Sequence, residues 1–229
     1  MIARFVTSIA FVLLIAAGAS AAGDDTASLS ATEIMLKVDS VTTYQDSLFS
    51  RTKYQVRVEA YFDELDDKGR VKNSDTTISL ATMMGKEELS DSLIYSTKRP
   101  ESKKGEQKGE MSFSLSPDNP DYSFLLTDSS DSSYIITVSP TASPPKKGDV
   151  KGTIAVDRVG FFTRNIDFEV PRPEGALKEL TTKMTFEPLE GGLVVMKDVT
   201  MKGYVKAFLG IFKMRFKGQV RYTDYQILD

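Results

Sequence analysis

The chain has 229 residues and a net charge of −3, and it contains no cysteine, histidine or tryptophan. The absence of cysteine excludes disulfides, thiol catalysis and an acylated cysteine, and the absence of histidine removes the commonest general base and zinc ligand. A mildly acidic balance argues against a nucleic-acid partner. We therefore expect a carrier, a binding protein or an envelope component rather than an enzyme, with neither a cofactor nor a metal site.

The first 21 residues have the pattern of a secretory signal peptide. Arg4 supplies a positive charge, an apolar run extends from Phe5 to Ala17, and Ala19-Ser20-Ala21 forms a small-residue cleavage site. The apolar run is shorter than the roughly 20 residues that a membrane-spanning helix needs. We predict a periplasmic protein that is exported and cleaved near Ala21, with a single domain over residues 22–229. A retained membrane anchor is the alternative.

One amphipathic helix is predicted shortly after the cleavage site. Ser30 and Glu33 have the spacing of a capping box, in which the side chain of each residue accepts the backbone N–H of the other. Ile34, Val38 and Val41 then recur on one side of a helix of about three turns. This apolar stripe predicts a helix that packs on another element.

The remainder of the chain alternates between apolar and polar residues, which is typical of half-buried strands. We count about eleven strands, mostly joined by short turns, which predicts an antiparallel meander. Each strand has an apolar face, and only one helix is available to cover it. The predicted fold class is therefore mainly β: a single curved antiparallel sheet, an unclosed half-barrel, with the N-terminal helix as a lid on its concave side. Apolar space between helix and sheet would suit a lipid chain.

This arrangement resembles the bacterial outer-membrane lipoprotein-sorting (LolA/LolB-like) family. Gly152-Thr153-Ile154-Ala155-Val156-Asp157, followed by Arg164, is similar to the family's Gly-x-Ile-x-Ile-Asp … Arg-x-Glu strand pair. The family's Arg-Pro pair, whose Arg helps to hold the helical lid, would correspond to Arg99-Pro100. The chain departs from the family in lacking Trp on its early strands and the Cys of the lipoprotein receptor member. The resemblance implies the half-barrel fold and an apolar ligand.

Large apolar residues on strands that we expect at the centre of the meander are candidates for the wall of a lipid-binding cavity. These residues are Phe113, Leu115, Phe124 and Leu126. An acyl chain needs only shape and apolar contact in such a cavity, because each buried CH₂ group contributes about 0.8 kcal/mol. The partner predicted here is a lipid or an acylated lipoprotein.

The hairpin at 203–217 is a candidate surface for transient contact with a membrane. Segment 199–223 is basic and contains no acidic residue, and its turn is apolar where turns are usually polar. An apolar tip flanked by cations suits an anionic bilayer. We predict that the tip residues Phe208 and Leu209 enter the bilayer while Lys206, Lys213 and Lys217 meet its headgroups. A tip that is buried as core is the alternative.

Two sets of acidic residues are predicted not to form a binding site. The run from Asp63 to Asp67 lacks the spacing of a calcium loop and is predicted to be a hairpin tip. Asp157 and Asp167 are predicted to pair with neighbouring arginines at the surface rather than with each other.

The predicted function is a non-enzymatic periplasmic carrier or binder of lipids or lipoproteins. An envelope-stress sensor or protein-partner-binding module on the same fold is the alternative.

Overall fold

The structure is a computed structural model, and it describes residues 29–66, 68–97, 115–207 and 212–228. These ranges contain one helix and ten strands. The elements are α1 (Ala31–Phe49), β1 (Lys53–Leu65), β2 (Val71–Met84), β3 (Glu87–Ser96), β4 (Tyr122–Ser129), β5 (Ser133–Pro140), β6 (Lys151–Asp157), β7 (Thr163–Glu169), β8 (Leu177–Pro188), β9 (Val194–Ala207) and β10 (Phe212–Leu228). The predicted signal peptide at 1–21 and its cleavage site near Ala21 lie outside the described residues.

All ten strands form one antiparallel sheet in the order β3-β2-β1-β10-β9-β8-β7-β6-β5-β4. The first and last strands, β1 and β10, pair with each other as the third and fourth strands from one edge, and β3 and β4 form the two edges of the described sheet. The edges do not pair, so the sheet is an unclosed half-barrel with one N-terminal helix, and the predicted fold class is confirmed. The additional strand predicted around residues 111–115 falls almost entirely outside the described residues.

The helix begins with the predicted capping box. The Ser30 hydroxyl accepts the Glu33 N–H at 3.2 Å, and the Ser30 N–H donates to the Glu33 carboxylate at 2.8 Å. The helix is 19 residues long, which exceeds the predicted three turns. Its last residue, Phe49, packs its ring 5.0 Å from that of Tyr54 at the start of β1. This tertiary contact extends the helix beyond the point where its apolar periodicity ends.

The hydrophobic core lies between the helix and one face of the sheet, which we call the inner face. On β1, for example, the alternate residues Tyr54, Val56 and Val58 are buried, whereas the residues between them are partly exposed. The cross-strand register carries this alternation across the sheet, so that each strand from β5 to β10 contributes buried apolar side chains to the same core. The opposite, outer face carries most of the charged residues of the strands.

Gly152, the first residue of the family-like motif, allows two strands to approach closely. It lies on β6 opposite Phe168 of β7 and has a φ of +153°. A Cβ at this position would lie 1.9 Å from the Asp167 carbonyl oxygen and 2.8 Å from the Phe168 ring. Only glycine combines that backbone conformation with such contact.

Asp157, the last residue of the motif's first strand, organises the turn between β6 and β7. Its carboxylate accepts the N–H groups of Val159 at 3.0 Å and Gly160 at 2.6 Å, and it also forms an ion pair with Arg164. Burial by itself would raise the pKa of Asp157, but the hydrogen bonds from Gly160, Arg164 and Val159 together lower it. The predicted pairing with Arg164 is confirmed, although Asp157 is buried rather than at the surface.

The other acidic predictions concern Asp167 and the run that includes Asp66, both of which are half-buried. Asp167 pairs with Lys183 of β8 at 2.5 Å and lies opposite Thr153, so it does not form a carboxylate pair with Asp157. The Asp66 carboxylate accepts the backbone N–H groups of Lys68 and Arg70, which confirms a hairpin turn in this segment.

We expect Gly152→Ala to destabilise the protein by about 3 kcal/mol or more, because backbone strain and a steric clash act together. Gly191→Ala is the matched control, since Gly191 also has a positive φ, +86°, but no atom lies near its added Cβ. Its cost should be only about 1–2 kcal/mol. Urea unfolding of both variants measures the difference. Equal losses would contradict the proposed close approach of β6 and β7.

Candidate functional site

The helix is too small to cover the inner face. A helix of 19 residues is roughly 28 Å long and 10 Å wide, whereas ten strands spaced by about 4.8 Å span roughly 48 Å. The helix contributes only four buried apolar side chains to the contact: Ala31, Ile34, Met35 and Val38. Much of the apolar inner face therefore has no helix above it.

The consequence is a second set of hydrophobic residues that pack against the core but remain half-buried. They are distributed over both halves of the sheet and include many aromatic rings. The set comprises Leu29, Phe49, Met83, Tyr122, Phe124, Leu126, Phe161, Val170, Phe186, Met196, Val205, Phe216, Tyr222 and Tyr225. A partly covered apolar surface beside a single helix is suited to contact with an alkyl chain.

Of the predicted cavity residues that the structure describes, one lies in the core and two belong to the half-buried set. Leu115 is buried in the core, and Phe124 and Leu126 are half-buried on the inner face of β4. Phe113 lies outside the described residues. The expectation that these residues occupy central strands is wrong for β4, which is an edge strand. The reason is that β10 returns to pair with β1, so the sheet is interrupted between β3 and β4, and its two central strands are β9 and β8.

A small number of polar contacts hold the helix to one end of the sheet. The Gln45 side chain donates to the Gly192 carbonyl at 2.8 Å and accepts the Val194 N–H at 2.9 Å, which joins the helix to the turn between β8 and β9. Asp46 pairs with Lys86, in the turn between β2 and β3, at 3.3 Å. These turns lie at the same end of the sheet, so the C-terminal half of the helix is attached there.

Asp39 is a buried carboxylate on the sheet-facing side of the helix. It is only 4% exposed, and its Oδ1 atom has no hydrogen-bond partner. Burial raises its pKa, and the nearby charge of Asp118, in the segment that precedes β4, raises it further. We did not predict this residue from the sequence. The signal was present, because Asp39 is four residues after Met35 and so continues the buried stripe of the helix.

Three tyrosines add neutral polar groups to the inner face. The Tyr54 hydroxyl donates to the Gly85 carbonyl at 3.1 Å, and the Tyr225 hydroxyl donates to the Met196 carbonyl at 2.6 Å. Burial raises the pKa of Tyr54, Tyr222 and Tyr225, so all three remain uncharged phenols at neutral pH. Asp39 is thus unlike its surroundings on this face.

A separate open cleft of about 360 Å³ lies on the segment from β6 to β8 and is lined by Asp157, Phe162, Arg164, Asn165, Thr185, Phe186 and Pro188. Its two charged side chains already pair with each other and organise the turn. Among the described residues, no three acidic, cysteine or histidine side chains come together in a way that could hold a metal ion. The apolar inner face is therefore the stronger candidate site.

The predicted membrane-contact lysines lie together on the outer face. Lys206 of β9 is directly opposite Lys213 of β10, and Lys202 is directly opposite Lys217. We call these four residues the lysine quartet. None of them forms an ion pair in the described part of the chain, whereas Arg215, between the two pairs, is matched by Glu179 at 3.1 Å. Like charges directly opposite one another destabilise a sheet, so folding alone does not account for the quartet.

The turn beside the lysine quartet is only partly described. Phe208 and Leu209 lie outside the described residues, so their predicted exposure stays a prediction. Phe212, the first residue of β10, is 42% exposed.

No protein-family model and no curated protein matches the chain. Three solved structures are similar to it over most of their length. A LolA superfamily protein from Nitrosomonas europaea is 14% identical with a TM-score of 0.34, over 88% of this chain and 95% of that one. A putative outer membrane lipoprotein-sorting protein domain from Vibrio parahaemolyticus is 8% identical with a TM-score of 0.36. The match covers 82% of this chain and 91% of that one. A chain of the MucA/MucB complex of Pseudomonas aeruginosa is 8% identical with a TM-score of 0.25. The match covers 83% of this chain and 98% of that one.

The first two structures bear the name of the family that the sequence resembles. At these identities and TM-scores the similarity carries no functional weight, and the function proposed below rests on contacts within this chain. Within the described ranges, no helix combines the length and the apolar character needed to cross a membrane.

We expect Asp39→Asn to stabilise the protein at neutral pH. The pKa of the folded carboxyl is raised, so the folded state binds more protons than the unfolded state above about pH 4. Stability should therefore fall as the pH rises from about 4 through the folded pKa, and the variant should lack this loss. Each kcal/mol gained corresponds to a Tm increase of about 2–4 °C.

Thermal melts at pH 7 and pH 4 measure this effect, and the gain should shrink at the lower pH. Asp46→Asn is the matched control on the same helix, because Asp46 is exposed and paired with Lys86. A variant at position 39 that is less stable than the wild type at pH 7 would contradict the unpaired burial of its carboxylate.

Proposed function

We propose that the protein is a non-enzymatic carrier or binder of lipids or lipoproteins in the periplasm. The observation that supports this proposal is the excess of apolar inner face over the area that one helix can cover. The half-buried residues of that face would contact acyl chains. Residues 1–21 would direct export and be removed, and residues 22–229 would form the single carrier domain.

Binding by this surface needs no catalytic group. About ten buried CH₂ groups contribute on the order of 8 kcal/mol, before the entropic costs of association. The aromatic and aliphatic side chains of the inner face offer this contact without a polar group of fixed geometry. Such a site would accept chains of related length and chemistry.

The helix would act as the lid of this site. It is attached through the paired hydrogen bonds of Gln45, the exposed ion pair of Asp46 and a short apolar stripe. An exposed ion pair contributes at most about 1 kcal/mol. The contacts that hold the lid are therefore few enough to be exchanged for contacts with an acyl chain.

The delipidated protein should bind a fluorescent fatty acid saturably. Replacing both Phe124 and Leu126 by Ser should weaken binding by about tenfold or more, because both side chains lie on the inner face. Leu125→Ser is the matched control on the same strand, since Leu125 is 64% exposed on the outer face. Its affinity should equal that of the wild type.

Fluorescence titration, with a thermal melt of each variant, measures these effects. The absence of saturable binding to the wild-type protein would contradict the carrier proposal. Equal weakening by the inner-face and outer-face variants would show that the ligand is not held on the inner face.

We further propose that the hairpin 203–217 contacts anionic membrane surfaces during loading or release. The unpaired lysine quartet supports this, since a bilayer surface can supply the anions that the protein does not. Lys206, Lys213 and Lys217 would meet headgroups, and Phe208 and Leu209 would enter the apolar region.

Flotation with anionic vesicles tests the membrane proposal. Each lysine near such a surface contributes about 1 kcal/mol, so Lys206→Gln with Lys213→Gln should weaken binding by roughly thirtyfold. The matched control replaces Lys151 and Lys197, which are paired with Glu169 and Glu187. Binding should also weaken as salt rises.

The apolar half of the contact is tested by Phe208→Ser with Leu209→Ser, which should abolish flotation without lowering the Tm. Unchanged flotation together with a much lower Tm would mean that the tip is core, as the alternative interpretation holds.

A further inference from the structure

Among the described residues, Asp39 is the one carboxylate with a buried oxygen atom, Oδ1, that accepts no hydrogen bond. It lies on the inner side of the helix, within the same surface as the apolar side chains proposed to hold ligand. Other buried acidic groups have partners: Asp157 pairs with Arg164, and Asp149 accepts the Lys146 N–H at 2.6 Å. The position of Asp39 is therefore not explained by the packing of the fold.

An ionised carboxylate in such a place is unfavourable unless a cation or several hydrogen bonds compensate it. The nearby charge is Asp118, which is exposed and negative, so it repels the ionised Asp39 instead of compensating it. Two carboxylates would, however, both attract a cation placed between the helix and the segment that leads into β4. The helix also contacts β4, which carries Phe124 and Leu126.

A metal ion does not suit this pair. Calcium prefers six to eight oxygen ligands, and no group of three acidic side chains is present in the described chain. An alkylammonium group fits better, because it needs only one or two carboxylate acceptors and carries its own apolar chain.

We propose that the inner-face site takes an amphiphile with a cationic, amine-bearing head, whose ammonium group binds Asp39 while its alkyl chain contacts the neighbouring apolar side chains. This inference rests on the proposed lipid-binding function and specifies its ligand class. Asp118, an exposed carboxylate whose charge acts on Asp39, would add attraction for the same cation. The bound ammonium group compensates the charge of the Asp39 carboxylate, which is buried without a partner when no ligand is bound.

Competition by three amphiphiles with the same chain length tests this proposal. Dodecylammonium, dodecanol and dodecanoate are titrated at pH 8 against a bound fluorescent fatty-acid probe. Dodecylammonium should displace the probe at about a tenfold lower concentration than dodecanol, and dodecanoate should be the weakest. In Asp39→Asn the preference for dodecylammonium over dodecanol should disappear, while the affinity for dodecanol should be unchanged.

Asp91→Asn, at an exposed position on β3 with no part in the lid, is the control for general attraction between a cation and an acidic protein, and it should keep the tenfold preference. Equal displacement by dodecylammonium and dodecanol in the wild type would overturn the inference but leave the lipid-binding proposal standing. A preference that persists in Asp39→Asn would also overturn it. Failure of every amphiphile, together with failure of the probe to bind, would overturn both proposals.

Discussion

The structure depends on one constraint: a ten-stranded sheet with a continuous apolar face has a single helix to cover it. A closed barrel would hide that face inside itself, but the edges β3 and β4 do not pair. The helix therefore covers only part of the face, and a set of apolar side chains beside the core stays half-buried. Hydrophobic burial stabilises the fold where the helix lies, and the remaining apolar surface is available to a ligand.

The two faces of the sheet are suited to different partners. In the part of the chain that the structure describes, the inner face is apolar and carries neutral phenols and the buried carboxylate of Asp39, and we propose that it binds an amphiphile. The outer face carries several ion pairs between neighbouring strands, whereas the lysine quartet of the hairpin 203–217 has none among the described residues. Because alternate residues of β9 and β10 point to opposite faces, both surfaces are built from the same two strands.

The sequence predicted the fold class because it depends on local patterns. Ser30 and Glu33 form the predicted capping box, and the period of two along β1 and β10 marks the inner face. The edge position of β4 could not be predicted in this way. It follows from two facts together, that β1 pairs with β10 and that β3 does not pair with β4, and neither leaves a trace in the periodicity of the strands.

The site was predictable in part. Phe124 and Leu126 are on the core side because alternation assigns a face to each residue of a strand, whereas Leu115 is buried from the segment before β4. The lysine quartet needed the register as well, since a slip of one residue would separate Lys206 from Lys213. Asp39 was missed because a single acidic residue on an apolar stripe resembles an ordinary interruption until its burial is seen. The motif residues Gly152 and Asp157, by contrast, have structural roles. Gly152 allows β6 and β7 to approach closely, and Asp157 holds the turn between them.

The central claim is that the inner face holds an amphiphile in the cell. Native mass spectrometry of the protein, purified gently from the periplasm without detergent, tests this most directly. The account predicts an added mass of a lipid that is lost on delipidation and restored by incubation with the extracted lipid. A bare protein mass, or a stoichiometric complex with another protein and no lipid, would contradict the carrier function and favour the partner-binding alternative.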